Sequence, residues 1–157
     1  MLHAYARNYL LHGLGATPDV LDALLKDAAT EDFDRRPDPE RFTIREAVAH
    51  MADFELVWLE RSTRSLNEER PELPDRDEGK MAIENDYAHT DVREQQALFR
   101  KRRGEFLEHL KGLPLEAWDR IGVRYWGEIS IEQQAVLVLG HDGYHTKQVV
   151  EWLKGQV

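Results

Sequence analysis

His141 and His145 stand four residues apart in the run Gly140-His141-Asp142-Gly143-Tyr144-His145-Thr146-Lys147-Gln148. Neutral imidazoles at i and i+4 project side by side from one helical face and can share one metal ion at about 2.0–2.1 Å. His50, in the segment Ile44-Arg45-Glu46-Ala47-Val48-Ala49-His50-Met51-Ala52-Asp53-Phe54, holds a comparable place earlier in the chain. Three imidazoles from two packed helices leave positions open to water or substrate, the pattern of a catalytic rather than a closed structural site. Nitrogen-only ligation suits zinc, nickel, copper or iron. Zinc or nickel is expected ahead of iron, copper or manganese.

An isolated pair of histidines at this spacing arises by chance in many helices, so the case depends on His50 and on which way the pair faces. At 100° per residue, the last helix gathers Ile131, Ala135, Val138, Val149, Trp152 and Leu153 on one stripe, and both histidines fall within it. The earlier helix gathers Ile44, Ala47, Val48, Met51, Phe54 and Trp58, with His50 near the stripe's edge. Glu55 and Asp142 also lie on these stripes, and a carboxylate facing a core needs a partner to offset its desolvation. Two roles are open to them: structural carboxylates paired with arginines, helix ends or a dimer interface, or a catalytic base beside the metal, with Asp142 also a candidate to orient an imidazole. Tyr144 and Gln148 are expected at the rim. His3, His12, His89 and His109 lack paired spacing, and the tryptophans read as core packing.

The elements that must position these groups are helical throughout, with no alternation that argues for a sheet. A first helical region runs from about Leu2 to Ala29, and Thr17-Pro18 inside it predicts a break or kink. After a polar loop from Thr30 to Phe42, Thr43 and Glu46 form a capping-box pattern that opens a helix to about Leu66. Asn67 to Ala88, with Pro71 and Pro74, reads as a long crossover connection. A third helix spans about Asp91 to Lys111 and stops at Gly112-Leu113-Pro114. Ser130 and Gln133 then open the fourth, which reaches about Leu153. Four long helices and two connections of about 15–20 residues predict an all-α four-helix bundle with long crossover connections.

The 157 residues, 41% of them apolar, match one domain over 1–157 with one core. A formal charge of −9 opposes a phosphate backbone, and the short run Arg100-Lys101-Arg102-Arg103, read as a solvated helix face, does not reverse it, so nucleic acid is not an expected partner. The absence of cysteine removes disulfides, thiolate ligands and cysteine nucleophiles. Neither a leader-like segment nor an apolar run of about 18 residues is seen, which sets the expectation of a cytoplasmic protein with no membrane contact.

The segment from Thr43 to Glu55, followed by Trp58, resembles the second-helix signature of the DinB-like (DNA-damage-inducible, YfiT-like) metal-binding proteins, which are distinct from the polymerase sharing that name. Trp126-Gly127-Glu128-Ile129-Ser130 and the later His141, His145 and Gln148 resemble the same family's closing motif. The resemblance implies an up-down-down-up bundle, a divalent ion held by His50, His141 and His145, and a homodimer. For activity it implies a metal-dependent enzyme acting on a small molecule. The leading form is an S-transferase that activates a low-molecular-weight thiol such as bacillithiol; the alternatives are a metal-dependent hydrolase using Glu55 or Asp142, and a non-catalytic stress-response bundle stabilised by its ion.

Overall fold

The computed structural model describes residues 2–155. Four long helices, α1 (Ala4–Leu25), α2 (Ile44–Asn67), α4 (Val92–Gly112) and α5 (Ile131–Leu153), form the bundle, and a short α3 (Glu78–Glu84) lies in the connection between α2 and α4. The starts of the helices are chemically marked. Thr43 and Ser130 accept from the backbone N–H groups of Glu46 and Gln133, whose side chains reach back to the cap residues, and Asp91 accepts from Glu94.

Helix α1 packs on α4 and α5, and α2 packs on the same two, so α1 faces α2 diagonally and the chain must cross the bundle to connect them. Directions follow from the contacts. Leu2 meets Glu132 and Thr17 meets Asp142, so α1 and α5 run together. Phe42 meets Trp152 at the far end of α5, while Ser62 meets His109 on α4, so α2 and α4 run together and opposite to the first pair. This is the up-down-down-up bundle with long crossover connections.

Three local expectations are corrected. Helix α1 continues through Pro18 without a break. A proline removes the N–H that would bond the carbonyl four residues back and so strands the Leu14 oxygen. Here Arg103 Nη1 donates to that oxygen at 2.9 Å, replacing the missing bond from another helix. The connection from Asn67 to Ala88 is not loop throughout, since Asp77 accepts from the Lys80 N–H and opens α3. A two-stranded antiparallel hairpin, β1 (Ile121–Arg124) and β2 (Gly127–Ser130), also stands where no strand was expected, because four-residue strands are too short to show alternation. Gly122 lets it sit close: a Cβ there would collide with Leu73 and the Ser65 hydroxyl.

The core divides into two apolar clusters. One holds Leu10, Leu14, Trp58, Phe106, Trp118 and Val138 among others, and the second holds Leu21, Leu25, Val48, Met51, Phe99 and Trp152. Along each helix the polar residues discussed below fall at or near the change from one cluster to the other. Among the described residues no helix is long and apolar enough to cross a membrane.

Candidate metal centre

Helices α2 and α5 bring His50, His141 and His145 together, and one ligating nitrogen from each lies within 4.8 Å of the other two. His50 Nε2 and His141 Nε2 are 2.9 Å apart. The stripes explain the meeting, since both helices turn these positions toward each other. Phe54 stacks on the His141 ring at 5.5 Å, and Phe42 lies 5.2 Å from the His50 ring. Burial among these groups disfavours the imidazolium. It pushes His50 down to about 3, His141 to about 2 and His145 to about 4, with the neighbouring histidines adding to the effect on His50 and His141. All three rings are therefore neutral near pH 7, the form that ligates a metal.

Gln148 is buried and not at the rim. Its Nε2 donates to the Phe42 carbonyl at 2.6 Å, which fixes the amide so that Oε1 faces His145 Nδ1 at 3.1 Å. A carbonyl oxygen only accepts, so His145 carries its proton on Nδ1 and presents a bare Nε2. Tyr144 does lie at the rim, half exposed, where its hydroxyl accepts from Arg41 Nε at 3.2 Å.

Glu55 and Asp142 direct their hydrogen bonds to Arg103 and Thr17 and not to the histidines. Both are buried, and both are held by Arg103, itself 1% exposed. The guanidinium donates to Glu55 at 2.6 and 2.8 Å and to Asp142 at 2.5 and 2.9 Å, and Thr17 Oγ1 donates to Asp142 at 2.8 Å. Every carboxylate oxygen of the two is thus engaged. The basic run that contains Arg103 is accordingly only half a solvated face: Arg100 and Lys101 are exposed, Arg100 pairing with Asp19 and Asp22, but Arg102 bonds the Ala52 carbonyl and Asp53. The signal was present in the spacing, because Arg103 shares its face with Phe99, Phe106 and Leu110.

The carboxylate that does approach the cluster is Glu78, in the first turn of α3, with Oε2 3.9 Å from His50 Nε2. Burial raises its pKa above the usual carboxylate range. Periodicity alone misses this residue, although Asp77 ahead of a short helical run is a usable cap signal. Its helix is anchored from outside: Asn85 and Tyr87 donate to Asp53 on α2 at 2.8 and 3.0 Å. Cavities open on both sides of Glu78. One, of about 350 Å³, reaches His141 between α3 and the hairpin; the second, of about 260 Å³, reaches His145 beside Arg41 and Tyr144.

A family model for the DinB superfamily matches residues 14–149, a span that contains the whole histidine cluster and Glu78. The chain belongs to the DinB superfamily. Among solved structures, this DinB chain is similar to YfiT from Bacillus subtilis, described as a probable metal-dependent hydrolase with an unusual four-helix bundle topology. The two share 20% sequence identity at a TM-score of 0.91, over 98% of this chain and 89% of YfiT. No curated protein matches in a comparison of sequences.

The donor set of this DinB bundle fits a divalent cation. Two like ring nitrogens face each other at 2.9 Å, so one carries the shared proton and the other a lone pair, and the bare Nε2 of His145 adds a second lone pair. His50 Nδ1 is buried with no hydrogen-bond partner. A cluster with more converging lone pairs than protons, all on neutral nitrogen, is one that could hold a metal cation.

Proposed function

We propose that this chain is a metal-dependent hydrolase of small molecules, with His50, His141 and His145 as metal ligands and Glu78 as general base. The observation that carries the reading is one carboxylate 3.9 Å from a neutral three-histidine cluster, with an opening on either side of it. A divalent ion held by the three imidazoles supplies Lewis acidity, polarising a carbonyl oxygen and acidifying water toward neutrality. Glu78 accepts the proton of the attacking water and returns it to the leaving group as the carbonyl–heteroatom bond breaks. Gln148 holds His145 in the ligating tautomer. Arg103, Glu55 and Asp142 fix α2 and α5 at the level of the histidines, the structural one of the two roles the sequence left open.

The two openings also favour a second reading, in which a low-molecular-weight thiol enters beside one histidine and an electrophile beside the other. The ligand set is the same, and Glu78 would take the thiol proton. Homodimerisation belongs with either reading; its support is a shallow, mostly apolar groove between α1 and α5 lined by Gly13, Ala16, Val20 and Val150.

The test begins with elemental analysis of untagged protein, wild type against His50→Ala and His141→Ala. Near one equivalent of a divalent transition metal should be found in wild type and lost from both variants. Glu78→Gln should keep the metal and lower ester or amide hydrolysis by about 10²–10⁴-fold. Hydrolysis unchanged by Glu78→Gln refutes the base assignment. Consumption of bacillithiol with an electrophile, absent hydrolysis, selects the transferase, and metal that only raises the melting temperature selects a non-catalytic bundle.

A further inference from the structure

The opening at His141 has a composition the chemistry above does not use. It is lined by Arg61, Arg76 and Arg124 together with the aromatic groups Trp58 and Trp126, and by Leu137. Its two carboxylates are Asp75 and Glu78. Arg124 pairs with Asp75, Arg76 pairs with Glu60 outside the opening at 2.7 Å, and Glu78 faces His50. Arg61 is left over. It is 4% exposed, forms no ion pair among the described residues, and uses one donor, from Nη2 to the Pro74 carbonyl at 2.9 Å. Its guanidinium lies over Trp58 at 5.2 Å, which holds it in place without neutralising it.

A buried guanidinium with no carboxylate in direct contact is costly, since charges that stand off from it, as Asp75, Glu60 and Glu78 do here, offset its desolvation only in part. Burial, with the charges of Arg124 and Arg76 and against those of Asp75 and Glu60, pulls Arg61 down to about 10. Arg124 adds a buried Nε with no partner and lies 6.0 Å beneath the exposed Trp126 ring at the hairpin tip.

We infer that the substrate carries a carboxylate, which Arg61 and Arg124 bind while Trp58 and Trp126 cover an adjoining aromatic or apolar body, leaving the bond to be cleaved beside His141. The inference rests on the hydrolase reading for the word substrate, but the anion subsite stands on the arginines alone. An opening of about 350 Å³ suits a single-ring acid. The arginine fork matches a carboxylate with two parallel hydrogen bonds, whereas a neutral amide offers one acceptor and no charge.

Calorimetric titration of zinc-loaded protein with phenylacetate and with phenylacetamide tests this, repeated on protein stripped with EDTA. Phenylacetate should bind about tenfold tighter or more in both forms. Arg61→Met should bring the two ligands level, and Arg61→Lys should retain part of the preference. Equal binding of acid and amide by wild type overturns the inference, as does no binding of either at millimolar concentration. A preference that disappears with the zinc also overturns it, since the ion and not the arginines then held the carboxylate. Zinc that fails to bind removes the hydrolase reading and leaves the result on stripped protein to decide the subsite. The wild-type comparison needs no variant, so the subsite is decided even where Arg61→Met fails to fold.

Discussion

Replacing Arg103 by methionine keeps most of the side-chain volume and removes the charge on which two buried carboxylates depend. Glu55 and Asp142 each accept two hydrogen bonds from the guanidinium, and the Leu14 carbonyl accepts another. Removing one partner of a buried ion pair costs about 3–5 kcal/mol, because the remaining charge stays in a medium that cannot solvate it. The stranded Leu14 oxygen adds roughly 1–3 kcal/mol if no water reaches it, though the two contributions overlap and should not be summed. For a chain of this length each kcal/mol lowers the melting temperature by about 2–4 °C, which places the expected loss at roughly 6–20 °C. Urea titrations of both proteins, followed by circular dichroism, give the difference directly. The triple variant Arg103→Met, Glu55→Gln, Asp142→Asn should recover more than half of the loss, because neutral amides no longer demand a cation. A single-variant loss below about 1 kcal/mol, or a triple variant no better than the single, would refute the claim that the two buried carboxyl groups depend on the Arg103 guanidinium.

Metal-free protein should lose stability as pH falls from about 6.5 toward 4, since the unfolded histidines take up protons at their ordinary pKa while the folded ones, held down at about 3, 2 and 4, do not. Each contributes roughly 2 kcal/mol of loss by pH 5, in a stability that is complete above the unfolded pKa; a flat profile in EDTA would refute the depressed values. Gln148→Leu removes the acceptor that fixes the His145 tautomer and should weaken zinc affinity by about 10–100-fold in competition with a chromogenic chelator, with the Phe42 carbonyl still satisfied by Trp152.

The bundle was legible in the sequence because its helices announce themselves: capping boxes at Thr43 and Ser130 and apolar stripes at the helical period are local signals. The convergence of His50 on the α5 pair was legible for the same reason, since each lies on or beside the stripe its helix turns inward. What escaped depends on partners distant in the chain. Pro18 reads as a break until Arg103, on a different helix, is seen to serve the Leu14 carbonyl. Arg103 reads as one member of a basic run until its alignment with Phe99 and Phe106 is noticed. Glu78 sits on a seven-residue helix whose stability comes from Asp53, Asn85 and Tyr87 and not from its own propensity, and Trp126 is exposed at a hairpin turn that no periodic pattern marks.

Arg103 meets all four long helices at one level: the Leu14 carbonyl on α1, Glu55 on α2, its own α4, and Asp142 on α5. Apolar stripes alone tolerate sliding, because one layer of leucine and valine packs much like the next. A helix displaced by one turn, about 5.4 Å, would keep its oily contacts yet carry a carboxylate, or the proline-stranded carbonyl, away from the Arg103 guanidinium. The polar layer between the two clusters therefore selects one alignment out of several that hydrophobic packing would accept. The distances among three histidines on two separate helices are set by that same choice.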